Sequence, residues 1–305
     1  MKDKIKVICI VGPTATGKSD FAVQYALENN GEIISADSRQ IYKGMDIGTG
    51  KITKDEMKGI PHHLLDVADP KKQFNVEKFR KLANEAIIDI NSRGKLPIMC
   101  GGTGFYIDAV INNISYPNVP HDKELRKKLK KKEVKELFAL LNKKDKEFAS
   151  SLNNSEINNK QRLIRSIEIA TTLGKIPKVN KSQSDYNVIW IGLNYPYVKL
   201  KERIHIRLLK RVDAGMIEEI KNLHKDGLSW KKMEGFGLEY RYIFRYLRKL
   251  ITKEEMLKLL EIEICHYAKR QNVWFKRNKK IEWIAGDGGI EPPPKDLEAF
   301  VLPLN

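Results

Sequence analysis

The chain has 305 residues, 41% of them hydrophobic, which is enough to bury one large core or two modest ones. No run approaches the roughly 18 apolar residues of a membrane span, so no membrane partner is expected, and Cys9, Cys100 and Cys265 lack the spacing of a metal cluster or a disulfide framework. The excess of 56 Lys and Arg over 39 Asp and Glu leaves a net charge of +17, which favours a polyanionic partner such as nucleic acid, although a uniformly lysine-rich surface gives the same balance.

The first apolar run ends in Gly12, crosses a tight loop and re-enters helix-forming sequence after Lys18. Its position near Met1 reads as a first strand rather than a signal peptide, so a cytoplasmic location is expected. Gly12-Pro13-Thr14-Ala15-Thr16-Gly17-Lys18-Ser19 fits G-x-x-x-x-G-K-[ST], with the strand before and the helix after that the motif requires. Gly12 and Gly17 permit backbone angles closed to other residues, so successive N–H groups can turn onto a phosphate at the positive end of a helix. Lys18 adds a mobile charge, and Ser19 a hydroxyl for Mg²⁺.

The pattern then alternates. A helix from Ser19 to Asn29 carries Phe21, Ala22, Tyr25 and Ala26 on one face and closes at Asn30-Gly31. A strand over Glu32–Ala36 delivers Asp37 just past its carboxyl end, the ligand-binding edge of an open parallel sheet, so Asp37 shares a crevice with Lys18. The stretch Ser38–Gly50 is too rich in glycine for a regular element and too long for a mere connector. His62, His63 and Asp66 invite a zinc reading, but adjacent histidines point apart on extended chain and no third ligand lies at standard spacing; a structural or substrate-positioning role fits better. Asn75 caps a crossover helix that ends at Gly94, Leu96–Cys100 returns as a buried parallel strand, and Gly101–Gly104 forms a second anion-facing loop before a helix containing Phe105 and Tyr106.

From His121 the composition becomes lysine-rich and helical, with Arg162, Arg165 and Glu168 forming a polar stripe opposite Leu163, Ile164 and Ile167. Asn187–Leu193 reads as one more buried strand, so residues 121–185 are a helical insertion between two parts of an α/β core, 1–120 and 186–285. The remainder is helical and basic, with a long helix starting near Glu202. Its last helix, Glu261–Lys276, interleaves Tyr267, Lys269, Arg270, Trp274 and Phe275, which suits a nucleic-acid surface; alternatively the aromatics pack inward and only the charges are exposed. Residues 286–305 are rich in Gly and Pro and read as an irregular tail.

Taken together, Gly12–Ser19, Ser35–Thr49, Pro61–Asp66, Gly101–Tyr106, Gln161–Glu168 and Tyr267–Phe275 resemble the tRNA dimethylallyltransferase family from about residue 5 to residue 284. The resemblance implies a P-loop NTPase-like parallel sheet flanked by helices, an all-helical insertion domain, and a monomer that takes the tRNA anticodon stem-loop and dimethylallyl diphosphate into one channel. Asp37 then matches the family's general base. The diphosphate lies in the loop Gly12–Ser19 with Mg²⁺ on Ser19, and Thr14 and Arg207 stand where the family has further catalytic contacts. tRNA contacts fall on Asp37, Ser38, Arg39, Gln40, Thr103, Arg126, Gln161, Arg162, Leu163, Ile164 and Arg165, beside the basic pair Lys269 and Arg270. Family members usually read Ile-Gly-Tyr-Lys-Glu where this chain has Phe236–Tyr240, so contacts there do not carry over. Two other readings share the loop and the aspartate: an adenylate isopentenyltransferase acting on free nucleotide, and a nucleic-acid-stimulated ATPase or small-molecule kinase.

Overall fold

Strand β1 (Ile5–Val11) is the spine of the sheet, because its apolar run can be buried on both faces only between two parallel neighbours. The computed structural model describes residues 4–178 and 184–285, which excludes the predicted tail at 286–305. In chain order the first part adds α1 (Lys18–Glu28), β2 (Gly31–Ser35), α2 (Lys54–Met57), β3 (His62–His63), α3 (Val76–Ser92), β4 (Leu96–Gly101) and α4 (Gly104–Ile111). Five helices follow: α5 (Lys123–Lys130), α6 (Val134–Lys144), α7 (Lys146–Ser151), α8 (Asn154–Ile157) and α9 (Lys160–Leu173). The chain then forms β5 (Tyr186–Asn194), α10 (Tyr197–Asp213), α11 (Met216–Lys225), α12 (Trp230–Phe236), α13 (Leu238–Leu247), α14 (Lys253–Phe275) and β6 (Ile281–Ala285).

All six strands form one parallel sheet in the order β3-β2-β4-β1-β5-β6. Val7, Cys9 and Val11 face α3 and α4, while Ile8 and Ile10 pack on α1, so alternate residues of β1 feed two different cores. A third core joins the loop around Ile41 and Met45 to α10, α11, α13 and α14. Among the described residues these elements make one unit, within 1–113 and 183–305; those within 114–182 make a second, whose own core includes Leu129, Leu137, Leu141, Leu163, Ile164 and Ile167. The second unit thus begins ahead of the composition change at His121. Among the described residues no helix is long and apolar enough to cross a membrane.

Several elements differ from the sequence reading; α10, for one, begins at Tyr197 rather than near Glu202. β6 is an edge strand with only Ile281 fully buried, so its pattern is too weak to stand out. α14 begins at Lys253 rather than Glu261, where Thr252 and Glu255 form a reciprocal capping box.

At the opposite edge of the sheet from the phosphate loop, Glu32 lies 2% exposed. Arg93 grips both its oxygens (2.6 and 2.8 Å), Lys95 meets Oε1 at 2.8 Å and the His63 ring meets Oε2 at 2.7 Å. The Arg93 guanidinium, helped by Lys95 and His63 against the effect of burial, holds this carboxyl well below the usual carboxylate range. His63 is therefore a structural partner of Glu32. A carboxyl depressed on folding stabilises the native state above its unfolded pKa of about 4.3, and that contribution is lost as pH falls. Glu32→Gln should lower stability at neutral pH by roughly 1–3 kcal/mol, the partly exposed partners limiting the effect. In denaturant titrations from about pH 7 down to pH 3, the gap between wild type and variant should close on the acid side; a gap independent of pH would contradict the ion-pair account.

Candidate active site

The phosphate loop closes on itself. Gly12 takes φ +147° with its Cα so near β5 that an added Cβ would lie 2.2 Å from the Leu193 carbonyl oxygen. Gly17, at φ +82°, opens α1. The Thr16 hydroxyl donates to the Pro13 carbonyl (2.9 Å), and the Lys18 ammonium folds back onto the same carbonyl. Burial pushes the Lys18 pKa down to about 8, with Arg207 acting in the same sense and Cys100 and Asp37 opposing it. An anion in the loop would reverse much of that penalty. Ser19 is exposed at the first turn of the helix.

Asp37 follows β2, as the alternation of elements requires. Its Oδ1 accepts from the backbone of Arg39 (2.7 Å) and Gln40 (3.4 Å), which fixes the carboxylate in a local turn. The glycine loop after β4 lies alongside: an added Cβ at Gly101 would be 2.3 Å from the Ala36 oxygen, Thr103 Oγ1 accepts from the Ser38 N–H (3.1 Å), and Tyr267 faces the same cavity as Asp37. A cavity of about 80 Å³ is bordered by Thr14, Lys18, Ser19, Asp37, Gln40 and Gln271. Arg207 borders it and two larger spaces: one of about 490 Å³ with Arg203 and Lys210, and one of about 340 Å³ with Arg39, Phe236, Tyr267 and Arg270. Phosphate loop and Asp37 therefore face one opening, between a cationic space and a space with aromatic walls.

Arg207 donates to the Thr14 hydroxyl (3.2 Å) and to the Gly50 carbonyl (3.3 Å); burial, then Arg211, pushes its pKa below the usual arginine value. The sequence reading missed what holds the long loop after Asp37. Glu219 accepts from the N–H groups of Asp46 (3.0 Å), Ile47 (2.6 Å) and Gly48 (2.9 Å) and from the Tyr240 hydroxyl (3.1 Å). Arg211 donates to the carbonyls of Ile47 and Gly48 and pairs with Glu239 at 2.8 Å. Arg203 donates to the Ala15 carbonyl at 2.8 Å, and Gln271 bridges Thr14 and Gly102. Gln271 sat inside a recognisable motif, and Glu239 and Tyr240 in the stretch that departs from the family pattern; an acid or arginine elsewhere on an amphipathic helix carries no local mark of its partner.

In the helical unit, Arg126 makes a two-pronged ion pair with Glu168 (2.5 and 2.6 Å), and Arg165 joins the same carboxylate (3.3 Å) and the Val119 carbonyl (2.8 Å). Burial pushes Glu168 up, but Arg126 and Arg165 hold it below the usual carboxylate range. The expected polar stripe is thus partly internal, since Glu168 is 1% exposed. Leu163 and Ile164, expected among the tRNA contacts, are core residues whose side chains are closed to RNA; Gln161 and Arg162 are exposed, with Arg162 paired to Glu156 at 2.8 Å. On α14, Lys269 and Arg270 are exposed, while Phe275 is buried and the Trp274 indole donates to Asp108 (3.0 Å). The aromatics of this helix largely pack inward.

An open parallel sheet with a phosphate loop and a facing carboxylate at its carboxyl edge defines a protein of the phosphate-loop α/β class. Residues 40–278 match the IPP transferase family. The tRNA dimethylallyltransferase 2 of Treponema denticola is 43% identical over 93% of this chain and 97% of its own length, and the tRNA dimethylallyltransferase of Anoxybacillus flavithermus 40% identical over 91% and 89%. The crystal structure of the tRNA isopentenylpyrophosphate transferase of Bacillus halodurans superposes with a TM-score of 0.73 at 36% identity, covering 98% of this chain and 96% of that one. A eukaryotic dimethylallyltransferase acting on tRNA gives a TM-score of 0.80 at 25% identity, covering 97% and 78%. The chain belongs to the IPP transferase family.

Because one carboxylate absorbs three backbone donors of the turn after Met45, Glu219→Ala should leave those N–H groups to water and cost about 1–3 kcal/mol. Amide exchange at Ile47 and Gly48 should accelerate selectively; unchanged protection there would show that Arg211 alone suffices.

Proposed function

We propose that this chain transfers a dimethylallyl group from dimethylallyl diphosphate to N6 of the adenosine immediately 3′ of the anticodon of tRNA, giving N6-isopentenyladenosine, and that it does so as a cytoplasmic monomer. The observation that carries the reading is the single cavity bordered by both Lys18 and Asp37. The lone pair of adenine N6 is delocalised into the ring, so attack on carbon needs a base on one side and a stabilised leaving group on the other. As the N6–C1 bond forms, the bond from C1 to the diphosphate oxygen breaks, Asp37 takes the N6 proton, and the electron pair leaves with diphosphate. Loop N–H groups, Lys18 and Arg207 meet the charge that develops there. A half-buried ammonium and a half-buried guanidinium act on it more strongly than exposed ones would, because less water screens them.

The donor set suits Mg²⁺: the Ser19 hydroxyl opens onto the cavity, and the ion prefers a few hard protein oxygens completed by phosphate oxygens and water. When bound, it would neutralise charge on the diphosphate. On the other side, the aromatic-walled space next to Asp37 has the character of a pocket for an extruded base, with Arg39 over the Phe236 ring at 5.4 Å and Arg270 near Tyr267. The exposed Lys269 and Arg270 supply phosphate contacts at its rim.

The test is transfer from labelled dimethylallyl diphosphate to an unmodified anticodon stem-loop, with the label mapped to the adenosine after the anticodon. Asp37→Asn, which keeps the acceptor for Arg39 and Gln40, should lower kcat by roughly 10²–10⁴ while RNA affinity changes little. Recovery of the variant at high Mg²⁺ would make Asp37 a metal ligand. No transfer at all, with RNA-stimulated ATP hydrolysis instead, would overturn the reading.

A further inference from the structure

One buried amide joins the two loops that flank the cavity. Gln271, 6% exposed on α14, accepts from the Thr14 N–H through Oε1 (2.8 Å) and donates from Nε2 to the Gly102 carbonyl (2.9 Å). Gly102 has no room for a side chain there, since an added Cβ would lie 2.1 Å from Gln271 Nε2. One helical turn earlier, Tyr267 faces the Thr103 side chain, which receives the Ser38 N–H beside Asp37 at 3.1 Å. α14 therefore holds the phosphate loop and the second glycine loop through Gln271, and one turn earlier it faces Thr103, which receives the backbone next to Asp37. The neighbouring Lys269 and Arg270 are exposed on the same helix. Both polar ends of Gln271 are committed to backbone, so it holds the site rather than touching reacting atoms.

We propose that Gln271 is a positioning residue that couples the two substrates, making diphosphate bind more tightly when RNA is engaged; the inference rests on the functional reading above. RNA drawing on Lys269 and Arg270 bears on a rigid helix, and any adjustment of that helix reaches Thr14 through a bond at the end of a short side chain. Only a carboxamide of this length offers an acceptor to one loop and a donor to the other; methionine fills the same volume with neither.

Inorganic diphosphate, which cannot react, is titrated into the full chain with and without an unmodified anticodon stem-loop, after the preparation has been shown to transfer dimethylallyl groups. Wild type should bind diphosphate at least about 5-fold more tightly with RNA present, at the lower end of ordinary coupling between sites. In Gln271→Met the ratio should fall close to 1, with RNA affinity in the absence of diphosphate unchanged. Gly102→Ala, which displaces the amide from the other side, should give the same collapse and decides the matter if the methionine variant does not fold. A wild-type ratio of 1, or a ratio that survives both substitutions, overturns the proposal. A wild-type chain that transfers nothing removes the functional reading first, and this inference with it.

Discussion

The backbone of Gly12 lies against the Leu193 carbonyl, closer than any side chain would permit, and the geometry of the site depends on that approach. It sets the end of β1 beside β5 and lets the chain turn at once into a loop that leads into the start of α1. The parallel sheet repeats the arrangement: β2 and β4 also end at this edge, delivering Asp37 and the loop Gly101–Gly104 within reach of Lys18. Glycine at 101 and 102 then admits the Ala36 carbonyl and the Gln271 amide at distances a methyl group would block. Reactive groups are placed by backbone proximity, and side chains fasten what the backbone has already brought together.

Charge is handled in two opposite ways. At the far edge of the sheet, Glu32 is saturated by Arg93, Lys95 and His63, so its ionisation stabilises the fold and leaves nothing over for a ligand. At the carboxyl edge, Lys18 is half-buried and donates to the Pro13 carbonyl and the Thr16 hydroxyl, and Arg207, also half-buried, to Thr14 and Gly50. These are neutral partners that an anion can outcompete. The depressed pKa values of Lys18 and Arg207 express the same fact: each cation is held in a place that costs free energy, a cost that an anion placed there would relieve.

Much of this was legible in the sequence. The phosphate loop, the position of Asp37, the crossover helix after Asn75 and the strands around Ile98 and Ile191 each carry local marks in spacing, caps and apolar runs. What could not be read shares one cause, which is dependence on distant partners. Glu219 and Arg211 look like surface charges on α11 and α10 until the turn after Met45 folds onto them. Leu163 and Ile164 lie in a stretch matching the family's tRNA contacts, yet helical spacing sends them into the core while Gln161 and Arg162 face out. Trp274 looks like a stacking platform for bases but spends its N–H on Asp108. β6 escaped notice because an edge strand needs only one apolar face.

The central claim is that the loop Gly12–Ser19 receives a diphosphate whose organic tail points toward Asp37. A crystal structure of the chain with dimethylallyl diphosphate and Mg²⁺ tests it directly. The account predicts diphosphate oxygens on the N–H groups of residues 17–19, the Lys18 ammonium swung from the Pro13 carbonyl onto the diphosphate, and C1 facing the Asp37 carboxylate. A diphosphate bound elsewhere, with Lys18 still on Pro13, would contradict it.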